Sequence, residues 1–320
     1  MNLLLVVDAP LREIAGLQRK AARALAETAR SRRVEATLAV SSTDLLPRLP
    51  LTLETLACLA APCVLSGPED LLEAALPRAD DPPPLGEGLR LLVRRGARLL
   101  AAGGALDTSG DAASAAEALE AVRESDLAIG AALLLAAGRW GRDEISRDAL
   151  LAELGRPGGS GEIPEGPLSR GLHTRLSWTR FHDVVSRHAA ALTFSPPLPV
   201  PEARREVAHA SDRFLEILRL FEEDRLGTPL PTWEAYVRAV ARRFPAASLP
   251  LFAGLSDEDG PVSRRAARKW PLAERLAPAV ASLLDWDPTG FALVPALLDL
   301  PEGTSREEQR RRAVELAARV

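Results

Sequence analysis

The run Asn2-Leu3-Leu4-Leu5-Val6-Val7, closed by Asp8-Ala9-Pro10, is almost wholly apolar and too short for a helix. A run of this kind reads as a strand covered on both faces. Chain ends fray unless a sheet holds them. The run therefore implies a central strand, with the chain opening in the middle of a fold.

Pro10 suits the first turn of a helix. Leu11, Ile14, Leu17, Ala21, Leu25 and Ala29 then recur at helical spacing, with Arg12, Glu13, Arg19, Lys20, Arg23 and Glu27 mostly off that stripe. The pattern predicts an amphipathic helix over 11–31. Val34, Ala36, Leu38 and Val40 alternate with Glu35 and Thr37, which predicts a second strand over 34–40. Strand, helix, strand is a βαβ-like unit. Residues 51–60 read as helix, Cys63-Val64-Leu65 as a third strand and 69–76 as a short helix.

Pro82-Pro83-Pro84 cannot be helix interior, and residues 79–85 read as a stiff linker. The boundary divides an α/β domain over 1–78 from a helical domain over 86–244 and a helical extension over 245–320. Helices are predicted over 86–102, ended by Gly103-Gly104, with a loop at 107–110. Further helices are predicted over 112–137, 169–193, 202–226, 231–244, 261–284 and 305–319, with a glycine-rich loop over 155–166. The predicted class is α+β, a small mixed sheet followed by a mainly helical part.

Hydrophobic residues make up 47% of the 320, enough for a sizeable core, and the net charge is −4. A generic nucleic-acid binder carries a basic excess, so the charge argues against that class. Lys20 and Lys269 are the only lysines, a bias of a GC-rich genome. Cys58 and Cys63 match no zinc or redox spacing and read as thiols of a reducing cytosol. The start of the chain lacks the basic region and cleavage site of a signal peptide. The longest apolar stretch, Ala128 to Ala137, is shorter than the ~20 residues of a bilayer span. The expectation is a cytoplasmic protein without membrane association.

Several segments together resemble one family. They are Asn2 to Asp8, Val64-Leu65-Ser66-Gly67-Pro68, Gly88 to Leu100, Ile129 to Trp140, and Phe221-Glu222-Glu223-Asp224-Arg225-Leu226-Gly227-Thr228-Pro229, followed by Trp233-Glu234-Ala235-Tyr236. In this order they resemble a bacterial group of nucleotidyltransferase-fold proteins. That group has a small mixed-sheet nucleotidyltransferase domain followed by an all-α domain. The resemblance covers residues 1 to 240.

The resemblance implies transfer of a nucleoside monophosphate from an NTP, with Mg²⁺ as cofactor. Two divalent metals clamp the attacking and leaving oxygens, and carboxylates hold the metals. In the family an Asp-x-Asp pair opens the first strand after a Gly-Ser turn, and a third acid stands on a neighbouring strand. Aligned on the apolar run, the second Asp falls on Asn2, and the first falls ahead of Met1. Glu35 is the candidate third acid. Asp8 stands at the wrong end of the strand. Asn2 and Glu35 are thus the metal candidates, and a neutral Asn is a poor ligand for a hard dication. Two accounts fit: a longer native form that is an active transferase, or a degenerate relative that is catalytically silent and acts as a binding or protein-interaction module. A nucleotide or a protein is the implied partner.

A third reading comes from the helical part. Arg204 and His209 have the Arg-x4-His spacing of a class of helical ribonucleases, with His209 as a general base. Arg175 to His182 is a looser version. Gly158-Gly159-Ser160-Gly161 lacks the Lys and Ser/Thr of a P-loop and reads as linker. The five tryptophans read as core anchors, and Glu307 to Arg312 as a solvated face.

Overall fold

The computed structural model describes residues 2–7, 11–32, 37–43, 46, 51–60, 70, 82–141, 143–154, 176, 178–193, 197–243, 270–285 and 294–320. The class is α+β: mostly helical, with a small parallel sheet. The chain forms two compact units, residues 1–87 with 139–150, and residues 88–138 with 151–320.

In the first unit, β1 (Asn2–Val7) pairs in parallel with β2 (Thr37–Ser42). Leu4 stands opposite Ala39 and Leu5 opposite Val40. Parallel neighbours need a crossover, and α1 (Leu11–Arg32) supplies it. Helix α1 packs on β2, and α2 (Leu53–Ala60) packs on both strands. One expectation changes here. Leu5 is 39% exposed, so β1 is not covered on both faces. Among the described residues β1 has one strand neighbour, which covers less of it than the interior position expected. The second strand is described over 37–42, overlapping the expected 34–40, and residues 34–36 lie outside the described residues. So do Asp8, the expected strand at 63–65 and, apart from Asp70, the expected helix over 69–76.

The same unit holds the first part of α5 (Glu144–Leu154), which no periodicity in the sequence announced. Its first turn is tied by Arg147 to Glu144 at 2.6 Å. The Arg147 guanidinium also lies 4.8 Å from the centre of the Trp140 ring, a cation–π contact.

Among the described residues the helices of the second unit are α3 (Leu85–Thr108), α4 (Ala112–Ala136), α6 (Trp178–Ala191), α7 (Val200–Leu226), α8 (Trp233–Arg243), α9 (Leu272–Asp285), α10 (Val294–Leu298) and α11 (Arg306–Ala317). Asp111 caps α4: its carboxylate accepts from the Ser114 N–H at 2.7 Å, and the Ser114 hydroxyl accepts from the Asp111 N–H. Gly227 ends α7 with φ of 66°, a left-handed conformation that glycine adopts without penalty. The glycine-rich loop over 155–166, the first part of the helix expected over 261–284 and Trp286 lie outside the described residues.

Helix α3 departs from expectation most. It runs through Gly103-Gly104 to Thr108, where the sequence predicted a stop and a loop. The buried stripe continues through Leu99, Leu100, Ala102 and Leu106 and carries the helix past the glycines. Each such glycine costs about 1 kcal/mol relative to Ala.

Helix α7 is the centre of this unit. It packs on α4, whose face there is largely alanine, and on α9. Phe214 and Phe221, seven residues apart and both fully buried, lie along one face of α7. They reach α3 at two glycines: Gly88 meets Phe221, and Gly96 meets Phe214. The reversed order means that α3 and α7 run antiparallel. A Cβ at position 96 would sit 2.5 Å from Phe214 Cζ and 3.0 Å from Val280 Cγ1, so glycine is required there. At Gly103 the nearest atom to such a Cβ is Val207 Cγ1 at 3.5 Å, and at Gly104 it is Arg310 Nη1 at 3.9 Å. These are ordinary contacts, and both sites have room for a Cβ.

The contrast gives substitutions of opposite sign. Gly96→Ala is expected to destabilise the chain by about 1–3 kcal/mol through overpacking, despite the better helix propensity of Ala. Gly103→Ala is expected to stabilise it by up to about 1 kcal/mol. Urea denaturation of the two variants checks both signs.

Candidate functional site

Helices α3, α7, α9 and α11 enclose a cleft of about 270 Å³ within the second unit. Its apolar surface comes from Leu99, Leu100 and Leu106 of α3, Val207 of α7, and Leu283 and Leu284 of α9. Residues 99, 100, 103, 106 and 107 follow helical spacing, as do 204, 207, 208, 211 and 212, so each long helix offers one continuous face. Gly103 lies on this wall and leaves its side-chain volume to the cleft.

The charged lining consists of Asp107, Arg204, Asp212, Asp285 and Arg310. Arg204 Nη2 donates to the Leu106 carbonyl at 2.8 Å, which ties α7 to the end of α3. Arg310 Nη1 lies 4.0 Å from Asp107 Oδ2. Asp285 Oδ2 accepts from Trp233 Nε1 at 2.7 Å. Ser211 turns its hydroxyl to the Val207 carbonyl at 2.9 Å. Asp212 is exposed and makes no hydrogen bond or ion pair among the described residues. An apolar floor with a few polar groups at its margin is the usual make-up of a small-molecule site.

The sequence candidates distribute unevenly over this geometry. Arg204 lines the cleft. His209 is exposed and is not part of the lining. Five helical positions separate the two, which turns them about 140° apart around α7. They do not form one constellation. Asn2 stands on β1 opposite Thr37, and Glu35 lies outside the described residues. Among the described residues no group of three His, Cys, Asp or Glu side chains could hold a metal ion. No helix among them is long and apolar enough to cross a membrane.

Two buried polar clusters escaped the sequence reading. Asp126 of α4 accepts from Arg213 Nη2 of α7 at 3.0 and 3.3 Å, with both side chains 7% exposed. Beside Asp126 in sequence, the fully buried Ser125 hydroxyl has no hydrogen-bond partner among the described residues. On α7, Arg225 is held between Glu222 and Glu274, and the Tyr236 hydroxyl donates to Glu222 Oε2 at 2.6 Å. Burial pushes the Glu222 carboxyl and the Tyr236 hydroxyl up, and the two carboxylates hold Arg225 firmly charged. The spacing of Glu222 and Arg225, three apart on a helix, was visible beforehand. Their burial was not, because such a pair ordinarily faces water. The cleft itself escaped because Gly103-Gly104 read as a helix stop.

Comparison with protein-family models, with curated proteins and with solved structures returned no match.

Burial raises the Asp126 carboxyl above its ordinary 3.8, and Arg213 offsets part of that rise. The folded chain therefore keeps this proton to higher pH than the unfolded chain. Ionisation of Asp126 lowers stability as pH rises from 3.8 through the raised folded value, and the loss is absent below that window. Asp126→Asn cannot ionise. The native chain is expected to gain stability relative to this variant as pH falls from neutral across the window. Urea melts of both chains at neutral and mildly acidic pH check it; a constant gap contradicts it.

Proposed function

We propose that this protein is a nucleotidyltransferase-like protein that acts by binding, and that the cleft of its helical unit is where a small organic ligand is held. Gly103 carries the proposal. It is a mid-helix glycine that packing does not require, at a site where any side chain would enter the cleft. A residue that breaks a local rule without a packing reason points to function. The parallel β1–α1–β2 unit is compatible with the family resemblance of residues 2–8, and the cytoplasm remains the expected compartment.

A second reading keeps the family's chemistry, with a longer native form that transfers a nucleoside monophosphate from an NTP with Mg²⁺. The ordered motifs favour it. Carboxylate-held metals and positioning supply most of such catalysis. The ribonuclease reading is disfavoured by the separation of Arg204 and His209 around α7.

The test is an assay set on the purified chain. Labelled NTPs with Mg²⁺ and cell extract, and RNA in parallel, are expected to give no transfer and no cleavage above background. A library of small organic molecules is expected to raise the melting temperature of the native chain and not that of Gly103→Leu. Label transfer at a rate typical of enzymes, or RNA cleavage abolished by His209→Ala, would overturn the proposal.

A further inference from the structure

The charges around the cleft are unequal in number and in engagement. Three carboxylates, Asp107, Asp212 and Asp285, face two guanidiniums, Arg204 and Arg310. Formally the lining carries one excess negative charge. Arg204 is committed in part to the Leu106 carbonyl, and Arg310 stands near Asp107. Asp285 is committed in part to the Trp233 indole. Asp212 is the charge without a hydrogen bond or ion pair among the described residues. Ser211, next to it, gives its hydroxyl proton to its own helix, leaving the oxygen lone pairs toward other donors. The open positions on this side of the cleft are therefore acceptors.

Between these groups lies the leucine surface of α3 and α9. Leu99, Leu100 and Leu106 line it from α3, and Leu283 and Leu284 from α9, with Gly103 clearing space between them. A ligand that suits both parts has an apolar body and a cationic head. On the reading that the cleft is a ligand site, we infer that its ligand is an organic monocation, an amine-bearing molecule with an aliphatic or aromatic body. The body lies on the leucines with the ammonium donating to the Asp212 carboxylate. An anionic amphiphile would bring its charge beside three carboxylates, against two guanidiniums of which Arg204 already donates to the Leu106 carbonyl and Arg310 stands near Asp107.

The probes are three series of equal chain length: n-alkylammonium ions from butyl to octyl, the matching n-alkanols and the matching n-alkyl carboxylates. Isothermal titration calorimetry against the full chain reads their affinities. Within the ammonium series each added methylene is expected to tighten binding about fourfold until the leucine surface is covered. At equal length the ammonium ion is expected to bind roughly fivefold tighter than the alkanol, the size of one solvent-exposed ion pair. Asp212→Asn is expected to abolish that preference. Gly103→Leu is expected to abolish binding of every series, and its circular dichroism and urea melt establish that it folds.

The outcomes separate the two levels of the argument. If carboxylates or alkanols bind as tightly as ammonium ions, and a folded Gly103→Leu binds none of them, the cleft is a ligand site and the cation assignment is wrong. An ammonium preference that survives in Asp212→Asn also removes that assignment. If ammonium ions bind equally to the native chain and to Gly103→Leu, the cleft is not where they bind, and both levels fall. Absence of binding by all three series overturns both as well.

Discussion

The helical unit depends on one guanidinium. Arg225 is a single positive charge placed against two carboxylates from different helices, Glu222 of its own α7 and Glu274 of α9. The four contacts span 2.5–2.7 Å, and the Arg225 side chain is 4% exposed. Tyr236 of α8 closes the arrangement through its hydroxyl. Three helices thus meet at one charge. A buried ion pair is a weak source of net stability because desolvation offsets most of the attraction. Its geometry is demanding, however, and it fixes the register of α8 and α9 on α7. That register sets where Leu283, Leu284 and Asp285, at the far end of α9, arrive at the cleft.

The second determinant is the division of labour among glycines on α3. Gly88 and Gly96 make room for the rings of Phe221 and Phe214 over two turns of α3. Gly103 and Gly104 continue the same helix, yet no neighbour presses on them. Phenylalanine rings fill the gap between the helices at one end, and at Gly103 the smaller Val207 stands opposite. Sterics enforce the first pair, while the second lowers helix stability without a packing return. The cleft is the space that results.

Much of the helical architecture was legible from periodicity and punctuation. Gly138 after the alanine-rich helix and Gly227 after Leu226 stand at real ends, each through cap chemistry that depends on local sequence alone. Gly103-Gly104 failed as punctuation because the stripe of Leu99, Leu100, Ala102 and Leu106 buries enough surface to hold the helix through it. Leu5 failed because apolar character reports a preference for burial, while the cover available depends on how many strands and helices surround it. The segment Phe221 to Tyr236, which contributed to the family resemblance, has a packing role for its main residues. Phe221 fills the core, Glu222, Arg225 and Tyr236 form the buried network, and Gly227 caps the helix. Such residues identify a helical scaffold more directly than a reaction. Of the sequence candidates among the described residues, only Arg204 lines the cleft, because spacing along a helix fixes direction and not what stands opposite.

The account rests on α3 continuing unbroken past its two glycines, since that segment is one wall of the cleft. Hydrogen–deuterium exchange resolved along α3 measures this directly. The account predicts slow exchange from Leu89 through Gly103 and Gly104 to Leu106, with fraying confined to the last residues before Ser109. Fast exchange setting in at Gly103 would mean that the helix ends there and that the cleft has no such wall.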